Sequence, residues 1–148
     1  MNCSAVDSRI FRNLFGTEEI REVFSDSNYV QCMIDAECAL GRAQSRTGAI
    51  PPGAGAAITK NVDFTKLDFD RLAAETDIVG YPVLPLVTQL VEMIGPEVGA
   101  YIHWGATTQD IMDIASVLQM RAGLKIVRRQ LKETIKVLTT LSRRYRDT

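Results

Sequence analysis

Apolar residues along the chain recur mainly at intervals of three and four, which is the period of amphipathic helices. No segment shows the convincing alternation of apolar and polar residues that is typical of half-buried strands. With the glycine, proline and capping residues at its breaks, the pattern predicts helices over residues 8–14, 17–24, about 26–47, 52–61, 63–74, 82–93 and 108–146. The sequence therefore predicts an all-α fold.

The pattern also predicts specific helix ends and buried positions. Gly48 is expected to end the helix that Ser25 or Asp26 begins, and Gly95 with Pro96 is expected to close the helix over residues 82–93. Glu37, on the inner side of its helix, is expected to be a polar core group rather than a catalyst. The helix over residues 63–74 is predicted to bury Leu67, Phe69, Leu72 and Ala73.

The last predicted helix is the most informative. At 1.5 Å per residue it would span roughly 55–60 Å, whereas a compact domain of this size has a radius of gyration of about 15 Å. The helix must therefore extend beyond its own domain, and its apolar seam needs partner helices from another chain or from sequence outside this one. The pattern also stops without a C-cap, so we expect the front part of a larger protein. The seam comprises Val117, Met120, Leu124, Val127, Leu131, Leu138, Leu141 and Tyr145, and a second apolar side comprises Ile111, Ile114 and Leu118.

Composition and charge add little to the prediction of the fold. The chain has 148 residues, of which 46% are hydrophobic and 24% charged, and a net charge of −1, as in ordinary globular proteins. From Arg121 onward, nine basic residues stand against two acidic ones. This basic helix could contact phosphates, but a solvated or inter-subunit helix face is favoured. We predict neither nucleic acid nor membrane as a partner.

The cysteines argue against both a disulfide framework and a metal centre. Cys3, Cys32 and Cys38 are odd in number and lack the spacing of metal ligands. No signal peptide or membrane-spanning stretch is recognised. We therefore expect a reduced cytoplasmic compartment and no metal.

Residues 101–115, YIHWGATTQDIMDIA, contain the only histidine and the only tryptophan of the chain. Thr107 and Asp110 have the spacing of a capping box at the start of the last helix, which by itself explains a threonine and an acidic residue there. A cap needs neither His103 nor Gly105. Free helix amides, hydroxyls and an imidazole are also a suitable receptor for a carboxylate, and a glycine lets a ligand approach the backbone. The segment can be both a cap and a binding site.

The stretch HWGATTQDIMDIA resembles the first signature region of the fumarase/aspartase superfamily, H-x-G-x-T-S-x-D-x-x-D-T. FSDSNYVQCMIDAECALGRAQSRTGAIPPGAGAAI is similar to an early helix and loop of that superfamily. VGYPVLPLVTQLV resembles its 3-carboxy-cis,cis-muconate cycloisomerase branch. The three matches occur in the expected order and cover essentially the whole chain.

Departures from the family patterns bear on the substrate. Leu14 and Phe15 stand where adenylosuccinate lyases carry an Arg-Tyr pair for the nucleotide phosphate, and the segment from Thr76 supplies no histidine. Both differences favour the cycloisomerase-like group. Tyr81 and Ile114 replace an asparagine and a threonine of the family patterns, so the exact substrate stays open.

The resemblance implies a β-elimination, or the reverse addition, on a small di- or tricarboxylate, without a cofactor. It assigns substrate binding to His103, Thr107, Thr108 and Gln109, while Asp110, Asp113 and Gly105 support or cap the helix. The family's catalytic serine loop and acid histidine would lie beyond residue 148, so no catalytic residue is assigned and the chain alone is expected to be inactive.

The same resemblance implies an organisation. Residues 1–106 would form an N-terminal helical domain, and residues 107–148 the first long helix of a central bundle shared between subunits. The expected assembly is a homo-oligomer, a tetramer with shared active sites, which would give the long helix its partners. Two alternatives are adenylosuccinate lyase or another fumarate-releasing lyase, and a helical oligomerisation module without chemistry.

Overall fold

The computed structural model describes Ser4 and residues 8–147, and the regular structure of these residues is entirely helical. The all-α prediction is therefore confirmed for the described part of the chain; Cys3 lies outside it. In chain order the α-helices are α1 (Arg12–Phe15), α2 (Glu18–Val23), α3 (Asp26–Thr47), α4 (Ala54–Asn61), α5 (Phe69–Val79), α6 (Val83–Ile94), α7 (Pro96–Gly99) and α8 (Thr108–Arg144).

The ends of α3 follow from local sequence. Ser25 Oγ accepts a hydrogen bond from the Asn28 backbone N–H at 3.2 Å, which satisfies one of the amides that a helix start leaves unpaired. At the other end Gly48 has φ of 77°, the left-handed conformation that glycine adopts at little cost. Both boundaries agree with the sequence prediction.

The predicted helix over residues 63–74 is wrong in its start, end and buried side. A 3₁₀ turn, Phe64–Lys66, comes first, and α5 begins only at Phe69. Helix α5 begins there because Asp68 is its N-cap, and the Asp68 carboxylate accepts a hydrogen bond from the Arg71 N–H at 2.9 Å. In addition, the Gln89 side chain bonds both the N–H and the carbonyl of Asp68, at 2.9 and 3.1 Å. Of the four residues predicted as the buried side, only Leu72 is buried.

The segment after α6 also differs from the prediction. Gly95 does end α6, but Pro96 is the first residue of α7 rather than the end of regular structure. A proline is tolerated in the first helical turn because its missing N–H would have no intrahelical partner there. The short α7 leads directly into the turns of residues 100–105 that precede α8.

Contacts divide the chain into two compact units. The first, here called the central unit, is Tyr29–Ser116 and contains most of α3, all of α4 to α7 and the start of α8. Its largest fully buried side chains are Met33, Ile58, Leu86, Leu90, Ile111 and Val83. Helices α3 and α4 approach closely, since a Cβ on Gly55 would lie 2.2 Å from the Gly41 carbonyl oxygen.

The second unit, here called the terminal unit, comprises the residues up to Asn28 together with those from Val117 onward. Within it, Gly123 of α8 leaves room for the Phe24 ring, which would lie 3.1 Å from a Cβ at that position. Gln119 is buried and its Nε2 donates to the Val23 carbonyl at 2.9 Å. Arg129 and Glu19 form a two-pronged ion pair with N···O distances of 3.0 and 2.5 Å.

The structure confirms that the seam of α8 is exposed. Leu124, Leu131 and Leu138 are each more than half exposed, as is Ile135, a seam position that the sequence pattern did not assign. The division into residues 1–106 and 107–148 concerns the whole protein and stays a prediction. Among the described residues, no helix combines the length and hydropathy needed to cross a bilayer.

Candidate functional site

The turn before α8 has an unusual backbone. His103 has φ of 58°, and it is the only residue other than glycine with a positive φ in the described part of the chain. Gly105, two residues on, has φ of 67°. Left-handed conformations of non-glycine residues cost roughly 1 kcal/mol or more and persist when surrounding contacts impose them. The His103 backbone must therefore be held by other parts of the central unit.

The group that holds it is Glu37 of α3. Glu37 Oε2 accepts the backbone N–H of His103 at 3.1 Å, and Glu37 Oε1 lies 2.6 Å from His103 Nδ1. The Glu37 side chain is 1% exposed, whereas that of His103 is 20% exposed. One buried carboxylate thus fixes both the main chain and the ring of the histidine, and the ring keeps access to solvent.

Burial raises the pKa of Glu37 above its ordinary value, and the hydrogen bonds and charge of His103 oppose that rise. The direction follows from the low polarisability of the interior, which disfavours a charged carboxylate more than a neutral one. A carboxylate in such a place needs its hydrogen-bond donors, since an unpaired buried charge is costly. Glu37 and His103 therefore stabilise each other's position.

A second contact from α3 holds the next residue of the turn. Gln44 Nε2 donates to the Trp104 carbonyl oxygen at 2.6 Å. The amide orientation follows from this contact, because the opposite orientation would place two oxygens against each other. Gln44 Oε1 is buried and has no hydrogen-bond partner among the described residues. Helix α3 therefore holds this stretch of backbone at two points, the N–H of His103 and the carbonyl of Trp104.

The start of α8 confirms one half of the expected capping box. Asp110 Oδ2 accepts a hydrogen bond from the backbone N–H of Thr107 at 3.0 Å, as the residue at position N3 does in a capping box. The other half is absent, since the Thr107 hydroxyl makes no hydrogen bond to any described residue, and neither does that of Thr108. At this helix start the cap is made by the Asp110 carboxylate.

The following polar side chains pair with each other. Gln109 Nε2 donates to Asp113 Oδ1 at 2.6 Å, one turn further along α8. Both side chains are exposed. The backbone amides of Thr108 and Gln109 have no acceptor among the described residues, so they are available at the positive end of the helix dipole.

The predicted site residues therefore lie in one short segment with open hydrogen-bond donors. His103 offers one ring nitrogen, Thr107 and Thr108 offer hydroxyls, and the first turn of α8 offers two amides. This set suits an anionic oxygen ligand. Among the described residues, no cluster of histidine, cysteine and acidic side chains could hold a metal ion.

Comparison with known proteins decides the family. The profile of a protein family described as lyase matches residues 15–148. The chain belongs to the fumarase/aspartase superfamily. This membership agrees with the HWGATTQD segment, which resembles the superfamily's first signature region.

Two solved structures and one sequence relative are similar to this chain. Beta-carboxy-cis,cis-muconate cycloisomerase from Acinetobacter calcoaceticus sp. ADP1 gives a TM-score of 0.90 at 35% identity, over 94% of this chain and 33% of that one. Fumarate lyase from Mesorhizobium sp. BNC1 gives a TM-score of 0.83 at 46% identity, over 90% and 31% of the two chains. Trans-aconitate decarboxylase 1 from Mycosarcoma maydis is 38% identical over 91% of this chain and 27% of its own. The chain thus spans about a third of the length of these relatives.

Sequence reasoning missed two contacts that hold the turn before α8, those of Glu37 and Gln44. The prediction that Glu37 is a polar core group is confirmed, since it is buried and hydrogen-bonded, but the sequence did not identify its partner and gave Gln44 no role. The two residues are seven apart on α3, the spacing that places side chains on one helix face. Two polar residues at that spacing on an otherwise apolar face were the available signal, but only the folded chain shows that they contact the turn before α8.

Proposed function

We propose that this chain supplies a carboxylate-binding segment to an enzyme that performs β-elimination or the reverse addition on small di- or tricarboxylates. Its preferred substrates resemble those of 3-carboxy-cis,cis-muconate cycloisomerase. The names of two relatives support this class, because 3-carboxy-cis,cis-muconate and trans-aconitate are both unsaturated tricarboxylates. The substrate-binding residues would be His103, Thr107, Thr108 and Gln109.

The observation that carries the proposal is the buried Glu37–His103 pair beside two unpaired threonine hydroxyls. A structural cap requires Asp110 alone, and Asp110 already provides it. The chain nevertheless holds His103 in a costly backbone conformation next to open donors. Strain of this kind at a ligand-facing residue is typical of binding and catalytic sites.

The chemistry explains why donors are needed here. When a base removes a proton from the carbon beside a carboxylate, negative charge moves onto the carboxylate oxygens. Fixed donors that meet this charge lower the barrier, and they work best when no reorganisation is required. The α8 amides, the threonine hydroxyls and the His103 ring would bind such oxygens. The base and the acid would come from the remainder of the full-length protein.

The substrate is expected to lack a phosphate. Leu14 and Phe15, at the place of the adenylosuccinate lyase phosphate anchor, are exposed apolar side chains. They offer no donor to a phosphate dianion. A small carboxylate needs no such anchor. Homotetrameric assembly with shared sites and a cytoplasmic location remain predictions that belong to the full-length protein.

The proposal is tested on the full-length protein that contains this chain, with a panel of superfamily substrates followed by the absorbance of the double bond. We expect a small di- or tricarboxylate to give the highest kcat/KM. Thr108→Ala should lower kcat/KM by about 10²-fold, as loss of a transition-state donor does, while stability changes by no more than about 1 kcal/mol.

The matched control is Thr140→Ala, which removes an exposed threonine from the same helix, away from the seam; its hydroxyl donates to the Lys136 carbonyl, at 3.0 Å. This variant should retain full activity. Equal losses in the two variants would reduce Thr108 to a structural residue. Preference for adenylosuccinate would overturn the substrate assignment, and a full-length protein inactive on every substrate would favour a helical oligomerisation module.

A further inference from the structure

Glu37 has a role that the substrate-binding assignment does not include. Both of its carboxylate oxygens are taken by a single residue, His103, one through the backbone N–H at 3.1 Å and one through Nδ1 at 2.6 Å. Glu37 is 2% exposed, so a ligand has no access to it. Any effect of Glu37 on binding or turnover must pass through His103.

The contact decides which ring nitrogen faces outward. A carboxylate accepts hydrogen bonds, so the nitrogen beside it carries the hydrogen. With Glu37 ionised, this contact places the hydrogen of the neutral ring on His103 Nδ1 and leaves Nε2 for a ligand. Nε2 makes no hydrogen bond to any described residue, and part of the ring is exposed.

The main-chain contacts make this ring position rigid. The left-handed backbone of His103 directs its side chain differently from that of an extended or helical residue, and Glu37 holds the N–H that precedes it. Gln44, seven residues later on the same helix, holds the carbonyl of Trp104 at 2.6 Å. Rotation of the His103 backbone would break contacts on both sides.

We propose that Glu37 is the positioning residue of His103, holding Nδ1 and the main chain so that Nε2 is presented to the substrate. The part that concerns substrate rests on the proposed function. In the neutral ring Nε2 is an acceptor, whereas in the imidazolium it is a donor that can bind a carboxylate oxygen. The assignment of Nε2 concerns the chain alone and can be tested without substrate.

The first experiment uses the ¹⁵N NMR spectrum of the imidazole ring in the 148-residue chain, where His103 is the only histidine. At a pH where the ring is neutral, Nδ1 should have the shift of a protonated nitrogen and Nε2 that of an unprotonated one. Glu37→Gln should move the ring toward the Nε2-protonated tautomer that free histidine prefers. An Nε2-protonated ring in the unsubstituted chain would overturn the proposal.

A control separates positioning from general loss of packing. Gln89 is also a buried polar residue of the central unit that holds a loop backbone, at Asp68. Gln89→Ala should lower stability and leave the His103 tautomer unchanged. If Glu37→Gln does not fold, Glu37→Asp keeps a carboxylate one methylene further away. The Nδ1-protonated tautomer should then persist with weaker preference, and an unchanged preference would contradict the proposal.

The second experiment measures kcat/KM in the full-length protein. Glu37→Gln should lower it about 10- to 100-fold, by analogy with the loss of the hydrogen-bond partner that orients a metal-bound histidine. Because Glu37 acts through His103, adding Glu37→Gln to His103→Asn should cause no further loss. Asparagine is chosen because it tolerates a left-handed backbone. Glu37→Asp should restore part of the activity.

The outcomes distinguish the two hypotheses. If His103→Asn retains full activity, the proposed function fails at this residue, whatever the NMR spectrum shows. If His103→Asn is impaired but Glu37→Gln is fully active, or if the two losses multiply, Glu37 does not act through His103. In that case the positioning role is wrong and the binding role of His103 stands.

Discussion

The two ends of α8 are parts of one helix, yet they differ in almost every property except their secondary structure. From Ile111 to Ile126 buried positions recur regularly, and the buried residues are Ile111, Ala115, Gln119, Gly123 and Ile126. From Val127 to the last described residue every position is exposed, although apolar side chains recur with the same spacing. The near end is packed against its own chain, while the distal end presents an exposed apolar seam.

This difference shows that helix formation and burial have separate causes in this protein. The distal end lacks proline and glycine and is rich in Leu, Lys and Arg, whose intrinsic propensity favours a helix even where no side chain is buried. Burial requires a packed partner surface, and among the described residues the near end of α8 is buried while the distal end is exposed. An exposed apolar seam of this length is typical of helices that associate with others.

The largest expected effect separates the two ends by their packing. Ile111 is 1% exposed and Leu131 is 57% exposed. Ile111→Ala should lower the free energy of unfolding by about 2–5 kcal/mol, since it removes buried methyl groups and leaves a cavity. Leu131→Ala should change it by less than about 0.5 kcal/mol at concentrations where the chain is monomeric. Urea denaturation of both variants measures this, and equal losses would mean that the distal end is packed too.

An effect of intermediate size concerns association. We expect the chain to self-associate through the seam, and sedimentation velocity at micromolar concentration should show species larger than a monomer. Leu138→Lys should weaken association at least tenfold, or about 1.4 kcal/mol, because a charge would be buried in the interface. Thr140→Lys adds the same charge two residues on, away from the seam, and should have little effect. A monomeric unsubstituted chain would refute the expectation.

The smallest expected effect is a pH dependence of stability that comes from the Glu37–His103 pair, in the unit that contains the start of α8. Because burial raises the pKa of Glu37 in the folded chain, the folded state binds this proton more tightly than the unfolded state. The contribution to stability is therefore full below the ordinary pKa of 4.5 and is lost as the pH rises through the raised value.

This dependence is isolated by comparing the unsubstituted chain with Glu37→Gln, which does not titrate. As the pH rises from 4 through the raised pKa of Glu37, the free energy of unfolding of the unsubstituted chain should fall relative to that of Glu37→Gln. Other carboxylates contribute equally to both proteins and cancel. A difference that stays constant, or that moves in favour of the unsubstituted chain, would show that His103 offsets the burial of Glu37 completely.

Local sequence determined most of the secondary structure. Ser25 and Gly48 bound α3 as expected because capping and left-handed ends depend on a few neighbouring residues. The uninterrupted pattern after Thr108 likewise specified a helix of 37 residues. The three segments that match the superfamily in order were sufficient to place the chain in it, and the exposure of the α8 seam followed from its length.

Tertiary structure decided the remaining features, because they depend on residues far apart in the chain. The start of α5 was mispredicted since Gln89, 21 residues away, fixes the backbone of Asp68. The partner of His103 was missed since Glu37 is 66 residues away in sequence. Spacing along a helix gives the face on which a side chain lies, but it does not give the group that the face meets. The histidine in a glycine-containing turn therefore predicted a binding site from sequence, and only the tertiary structure shows the buried carboxylate that contacts it.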